Sequence, residues 1–362
     1  MADASLQEFI ETASNVSPFR VEDDFGEGFV RLRSEEAERR QAAHDIRSSE
    51  DAVIELLRNS RDAHACNIFL ATGREGDRRR ILVIDDGDGI PAFMHGKIFE
   101  PRVTSKLETV HMDKWGVHGR GMALYSISVN SESARVVSSA SGLGASIECV
   151  TDIRRLPEKA DQSSFPRFEP AESGALAMRG PRNIIRTACE FAIDCAPAVN
   201  VYLGSFSEIA ATLLAFSHAS LTLAQRAFSD DPDSFPLCKR LAFAADAGEL
   251  QAIAGSMGLD LSERTCRRVI DGEIAPLASL AELVMMRAPA PEPKPSKSRK
   301  KRLDLSDRRG LSIASEDLET FRSAIVDSFA PLARDYYLEA DISPSISVGK
   351  DSITVTLPVQ KL

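Results

Sequence analysis

The stretch Asp51-Ala-Val-Ile-Glu-Leu-Leu-Arg-Asn-Ser-Arg-Asp-Ala-His64 decides how the rest of the chain is read. At about 100° per residue, Glu55, Asn59 and Asp62 fall within a wedge of about 60°, while Ala52, Val53, Leu56, Leu57 and Ala63 occupy much of the other side. The spacing predicts a helix over 51–64 that packs one face and gathers a carboxylate, an amide and a second carboxylate on the other. Such a face suits a hydrated Mg2+, which takes oxygen ligands and retains several waters. The same pattern also describes an ordinary amphipathic helix with a solvated side.

Two further segments carry chemistry. Ile81-Leu-Val-Ile-Asp-Asp-Gly-Asp-Gly-Ile-Pro91 begins as a continuous apolar run, which predicts a buried strand. It ends on Asp85, which can accept a hydrogen bond from an exocyclic amine, and Gly87 and Gly89 let the backbone approach a flat ring. A tight acidic turn is the other reading; a calcium loop needs a longer ligand series and a late bidentate Glu. Trp115-Gly-Val-His-Gly-Arg-Gly-Met-Ala-Leu-Tyr-Ser-Ile127 sets glycines at 116, 119 and 121 ahead of an apolar helix expected within 116–130. Backbone N–H groups at a helix start, with the helix dipole behind them, favour phosphate. This glycine pattern does not follow a strand of a β-α-β unit, which argues against a dinucleotide fold.

In this order the three segments resemble the nucleotide site of the GHKL superfamily, the group of gyrase B-type topoisomerases, ninety-kilodalton heat-shock chaperones, histidine kinases and mismatch-repair ATPases. E-L-L-R-N-S-R-D-A (55–63) matches that group's E-x-x-x-N-S-x-D-A helix, D-D-G-D-G-I-P (85–91) its D-x-G-x-G loop, and G-V-H-G-R-G-M-A (116–123) its glycine lid. The likeness covers about residues 25–155, roughly a third of the chain. It implies an α+β fold, the GHKL (Bergerat) α/β sandwich, that binds ATP with Mg2+. Asn59 then corresponds to the metal ligand, Asp85 to the partner of the adenine amine, and Gly87 and Gly89 to the residues beside the adenine. Gly116, Val117, His118, Gly119, Arg120, Gly121 and Met122 correspond to the phosphate wrap. Asp62, Ser105 and Lys106 join the site, and Ser146 stands on the late strand near the base. Glu55 corresponds to a general base that orients water against the γ-phosphate; an ion pair with Arg58 is its other reading.

Two branches come closest. Lys97-Ile-Phe-Glu-Pro101 followed by Thr104-Ser-Lys106 resembles the phenylalanine motif of histidine kinases, yet only His44 precedes the site, 15 residues from Asn59, which leaves no room for a phosphoacceptor hairpin. The B subunit of topoisomerase VI is similar in its E-L-x-x-N-S-x-D-A helix, its Ser-Lys lid (Ser105-Lys106) and its glycine lid leading to a helix with Tyr125. Lys106, Lys114 and Lys350 are the candidates for a lysine reaching the γ-phosphate. No D-x-D motif neighbours Tyr125, Tyr202, Tyr336 or Tyr337, so strand cleavage is not expected of this chain.

Outside the site, composition divides the chain into an arm (1–24), the ATP-binding segment (25–156), a Pro- and Gly-bearing linker (157–179), a mainly helical region (180–287), a basic linker (288–310) and a small C-terminal helix–strand segment (311–362). Glu249–Gly272 outlines a helix-turn-helix whose second helix bears Arg264, Arg267 and Arg268, or else a helical hairpin with a solvated basic face. Lys294–Arg302 holds six basic residues in nine, a phosphate-binding run or a soluble spacer.

The 362 residues carry 44 Lys and Arg against 54 Asp and Glu, a net charge of −10, so any contact with DNA must use a local patch such as 249–272 or 294–302. No apolar run approaches the roughly 20 residues that span a bilayer, and the N-terminus has acids where a secretory signal needs bases. The six cysteines form no C-x-x-C pair, so neither zinc nor a disulfide framework is expected. The expectation is a cytoplasmic ATPase that uses nucleotide as a conformational switch on DNA or a protein. A nucleotide-dependent homodimer and a separate catalytic or effector subunit are the candidate partners. A kinase acting on a partner in trans and a non-hydrolysing, nucleotide-sensing DNA-binding regulator are the alternatives.

Overall fold

The computed structural model describes residues 21–32, 40, 44–105, 111–113, 116–118, 121–159, 161–170, 176–227, 231–287, 315–336, 338–339, 342–348 and 353–359. Lys106, Lys114, Gly119, Arg120, Lys350 and the run 294–302 lie outside them, as do most of the N-terminal arm and of the helical segment expected over 34–47.

A hairpin of β1 (Val21–Gly26) and β2 (Phe29–Leu32) leads to helix α1 (Ser49–Asp62) and the long hairpin β3 (Asn67–Glu75) and β4 (Arg78–Asp85). Short strands β5 (Val103–Thr104), β6 (His111–Asp113) and β7 (Gly116–His118) precede helix α2 (Ala123–Asn130), and the hairpin β8 (Ser133–Ser139) and β9 (Ala145–Asp152) follows it. Next come β10 (Arg167–Pro170), β11 (Leu176–Arg179), α3 (Ile184–Cys195), β12 (Asn200–Gly204), α4 (Phe206–Ser220), α5 (Leu223–Ala227), α6 (Ala247–Ser256), α7 (Glu263–Ile270) and α8 (Leu280–Arg287). Described residues up to Arg287 belong to one compact unit. Those from Ser315 onward belong to a second, made of α9 (Ser315–Asp335) and the hairpin β13 (Ser345–Val348) and β14 (Ile353–Thr356) around Phe329, Ala333 and Ile342.

The central sheet runs in the order β12-β3-β4-β9-β8. β12 lies parallel to β3, and the remaining pairs are antiparallel. In β3 and β4 nearly every central residue is apolar, so neither face can be left to water. Ile68, Leu70, Ile81 and Val83 face a core shared with Val53, Leu56 and Leu57 of α1, Ala188 and Phe191 of α3, and Leu280 and Val284 of α8. Phe69, Ala71, Leu82 and Ile84 face the opposite way, onto Ile209 and Leu213 of α4, Leu237 and Leu241, Leu250 of α6 and Cys266 of α7. Phe69 stacks on Tyr202 of β12 at 4.9 Å and meets Phe216 of α4 edge-on at 5.4 Å.

The region 180–287, expected to be mostly helical, thus contributes an edge strand to the sheet and helices to both of its faces. The Pro- and Gly-bearing stretch before it is likewise built into the unit. Ser49 N donates to Pro157 O, Glu50 accepts from Lys159 N at 3.0 Å, and the Asn183 side chain caps α3 while donating to Asp161 O and Ser164 O. Pro166 there precedes β10 and Pro170 ends it, within a stretch whose composition suggests a linker. Among the described residues no helix is long and apolar enough to cross a membrane.

Because both cores are closed by residues beyond 180, a fragment ending near residue 160 is expected to leave Phe69, Leu82 and Ile84 uncovered. It should bind a hydrophobic dye and melt without a cooperative transition, whereas residues 1–291 should melt cooperatively. A sharp thermal transition for the short fragment in circular dichroism would refute this account of the core.

Candidate nucleotide-binding site

Helix α1 is placed by its own termini. Ser48 caps its start, accepting from Asp51 N, and Glu50 and Asp51 in the first turn complement the dipole. Its apolar side is buried against the sheet, and Ser60 on that side reaches the end of β4, where its hydroxyl donates to Asp85 Oδ2 at 2.7 Å.

Asp85 is 3% exposed. Its Oδ1 accepts from Gly87 N at 3.0 Å and from Ala145 N at 3.2 Å. Burial pushes its carboxyl above the ordinary value; the bonds from Ser60, Gly87 and Ala145 act in the opposite direction, and the neighbouring Asp86 adds to the rise. Asp86 turns the other way and ties the start of β3, accepting from Cys66 N, Asn67 N and the Asn67 amide. One of the two consecutive aspartates thus serves the site and the other serves the sheet.

The glycines after Asp85 are required by the protein itself. A Cβ on Gly87 would lie 2.4 Å from Ala63 O at the end of α1. Gly89 has φ +74, and a Cβ there would lie 1.9 Å from Ala140 O in the β8–β9 turn. The loop is therefore clamped between α1 and that turn, with Asp88 N donating to Ala63 O and Ile90 N to Ser139 Oγ.

On the half-buried flank of α1, Glu55 is paired with the Arg58 guanidinium at 2.5 Å, the ion pair that the i,i+3 spacing allows. Asn59 Nδ2 is buried with no hydrogen-bond partner. Asp62 accepts from Arg61 at 3.0 Å, and Arg61 lies over the Phe191 ring of α3. Glu55, Asn59 and Asp62 share the expected helix flank, but Asp62 is engaged toward α3.

The lid differs from a plain loop running into a helix. Gly116, Val117 and His118 form β7, paired with β6, and α2 begins only at Ala123. Gly121, at φ +69, passes against Val103 and Arg102, and Met122 occupies the N-cap position of α2. Ser105 follows β5 and is exposed. Helix α2 packs beside α1 and the Lys97–Phe99 turn.

The structure corrects the expectation for Ser146. This residue faces Ile84, on the opposite side of the sheet from Asp85, and its hydroxyl donates to Met257 O at 2.7 Å. Its neighbour Ala145, opposite Asp85 in the register, supplies the contact through its backbone N–H. A shift of one residue along a strand exchanges the faces. Ser60 and Ala145 escaped the sequence reading; only the Asn59-Ser60 dipeptide carried a signal, through the direction in which the next helical position points.

The two helices outlined over 249–272 are present as α6 and α7, with their connecting turn fastened to the sheet. Arg80 of β4 donates to Gly258 O at 2.9 Å and Asp260 at 2.6 Å. On α7, Arg264, Arg267 and Arg268 are exposed, and two of them are paired, Arg267 with Glu263 and Arg268 with Glu273.

A buried carboxylate at a strand end, a helix flank bearing a carboxylate and an amide, and a glycine segment before a second helix are the parts of a nucleotide-binding α+β domain. Residues 46–160 match the family described as "Histidine kinase-, DNA gyrase B-, and HSP90-like ATPase". Over 102 residues the chain is 36% identical to the DNA mismatch repair protein MutL of Clostridium beijerinckii, a match covering 27% of this chain and 15% of that protein. This segment of the chain is an ATP-binding domain of the GHKL superfamily.

The raised Asp85 carboxyl has a consequence for stability. A carboxyl raised in the folded state contributes stability below its unfolded value and loses it as pH rises through the folded value. Asp85→Asn keeps an acceptor for Gly87 N and Ala145 N and removes the buried charge. The nucleotide-free variant is expected to gain in melting temperature relative to the native chain as pH rises from 3.8 toward neutrality. Parallel melting curves across that range would count against it.

Proposed function

We propose that this chain is a Mg2+-dependent ATPase that uses nucleotide binding and hydrolysis to switch conformation on a DNA partner. The observation that carries the reading is the Asp85 carboxylate, buried and held by Ser60, Gly87 and Ala145 beneath a helix whose flank bears Glu55 and Asn59. A carboxylate fixed at both oxygens is a rigid acceptor for the adenine amine, because little freedom remains to be lost on binding. Gly87 and Gly89 flank the base, and Gly116, Val117, His118, Gly119, Arg120, Gly121 and Met122 enclose the phosphates, with Ser105 and Lys106 as further contributors.

The residues present fit Mg2+. Among the described residues no cluster of three carboxylate, His or Cys side chains forms a closed metal cage; an ion that keeps its waters and shares phosphate oxygens needs only one or two protein ligands. Asn59 is the residue that would hold it, through its side-chain oxygen, and its buried, unpartnered amide nitrogen is a donor available to a phosphate or water oxygen at the site. When bound, the ion neutralises charge developing on the phosphates. Glu55 orients the attacking water, and Asp62 buttresses the same flank through Arg61.

DNA is the partner we favour. The MutL relative's name places it in DNA mismatch repair, and the run 294–302 concentrates positive charge in an otherwise acidic chain. On α7, with Arg267 and Arg268 paired to carboxylates, Arg264 is the contributor. Closure of a homodimer on ATP, with a separate effector subunit, completes the switch; the likeness to the topoisomerase VI B subunit rests on the motifs alone.

Glu55→Ala is expected to abolish phosphate release while ATP affinity in calorimetry stays within a few-fold of the native chain, and Asp85→Asn to weaken that affinity at least tenfold. Duplex DNA should raise turnover in the full chain, and neutralising the six basic residues of 294–302 should remove that stimulation. Native-level turnover in Glu55→Ala, or indifference to DNA at low salt, would overturn the corresponding part of the reading.

A further inference from the structure

Arg58 is the one strongly buried cation on α1, and neither the metal, the base nor the phosphates claim it. It directly precedes Asn59, yet its side chain is only 3% exposed, and it donates through Nη1 to Glu55 Oε1. The Glu55 side chain is itself 19% exposed. A guanidinium does not shed its proton at any pH the fold survives. A charge buried this deeply is held by polar partners, and the Glu55 carboxylate is one of them.

The i,i+3 spacing on one helix sets the separation of the two groups through the α1 backbone. That backbone is fixed in turn by the Ser48 cap at one end and the Ser60–Asp85 bond near the other. A free glutamate on a helix flank samples several rotamers, whereas a glutamate held by a buried arginine is confined to one arrangement.

We propose that Arg58 is a positioning residue for ATP hydrolysis, holding the Glu55 carboxylate in one orientation on the helix flank that also bears Asn59; this rests on Glu55 serving the hydrolytic water. In the step so assisted, the water oxygen bonds to the γ-phosphorus. The bond from that phosphorus to the β,γ-bridging oxygen breaks with its electron pair left on ADP, and the hydrogens of the water leave with the phosphate. Held in this way, Glu55 works by aligning the water. Arg58 acts only through Glu55 and touches no reacting atom.

The test uses the full chain and compares steady-state ATP turnover with ATP affinity by calorimetry in Arg58→Met, Arg58→Lys, Glu55→Gln and the double variant Glu55→Gln/Arg58→Met. Arg58→Met is expected to lower kcat at least tenfold with the ATP Kd within about twofold, Arg58→Lys to recover most of the loss, and Arg58→Met to cost nothing further once Glu55 is Gln. Native kcat in Arg58→Met overturns the proposal. So does a tenfold loss of ATP affinity, which would assign the guanidinium to the phosphates, or an undiminished cost in the Glu55→Gln background. Should Arg58→Met fail to bind ATP and melt early, Arg58→Gln replaces it in the same comparison. A native chain that binds ATP without turning it over, or a Glu55→Gln variant as active as the native chain, instead removes the hydrolytic reading itself.

Discussion

Strands β3 and β4 have no face to give to water. Ile81, Leu82, Val83 and Ile84 are all buried, alternately toward α1 and toward α4. From that constraint follows the need for two helical layers, and hence the incorporation of a region more than a hundred residues downstream into the same sheet. β12 pairs with β3 across this distance, and α4, α6 and α7 seal the face that α1, α3 and α8 do not reach. The nucleotide-binding domain is therefore not bounded by its motifs: its back wall comes from the segment that composition sets apart as helical.

The site stands where this two-sided strand ends. Continuing β4 by one residue past Ile84 puts Asp85 on the α1 side, buried, with the charge that burial disfavours. Three donors converge on it from three elements, Ser60 of α1, Gly87 of its own loop and Ala145 of β9. The β8–β9 turn is held on its other side by Leu237 N donating to Leu143 O, so the loop at the carboxylate and the distant helical layer share a hydrogen-bonded wall.

Much of the site was legible in the chain because its parts are local. The E-L-L-R-N-S-R-D-A helix carries Glu55, Asn59 and Ser60 within two turns, and the strand-to-glycine transition at 85–89 announces a tight loop wherever it occurs. What was not legible depends on register. Ser146 and Ala145 are adjacent in sequence, and only pairing with Ile84 and Asp85 decides which shares the face of Asp85. The Pro- and Gly-bearing stretch at 157–179 has the composition of a linker, and its contacts with Ser49, Glu50 and Asn183 make it part of the wall. The arginines of α7 look like a basic face until Glu263 and Glu273 are seen beside two of them.

The sequence by itself determined the helix flank of Glu55 and Asn59, the strand ending at Asp85 and the glycines that follow, because helical and extended periodicities are set by the backbone within a few residues. Only the tertiary structure decided which hydroxyl and which N–H groups hold Asp85, that Arg58 is buried against Glu55, and that residues beyond 180 complete the sheet. Those outcomes depend on which surfaces meet, and burial by a distant segment leaves no local trace in the residues it covers.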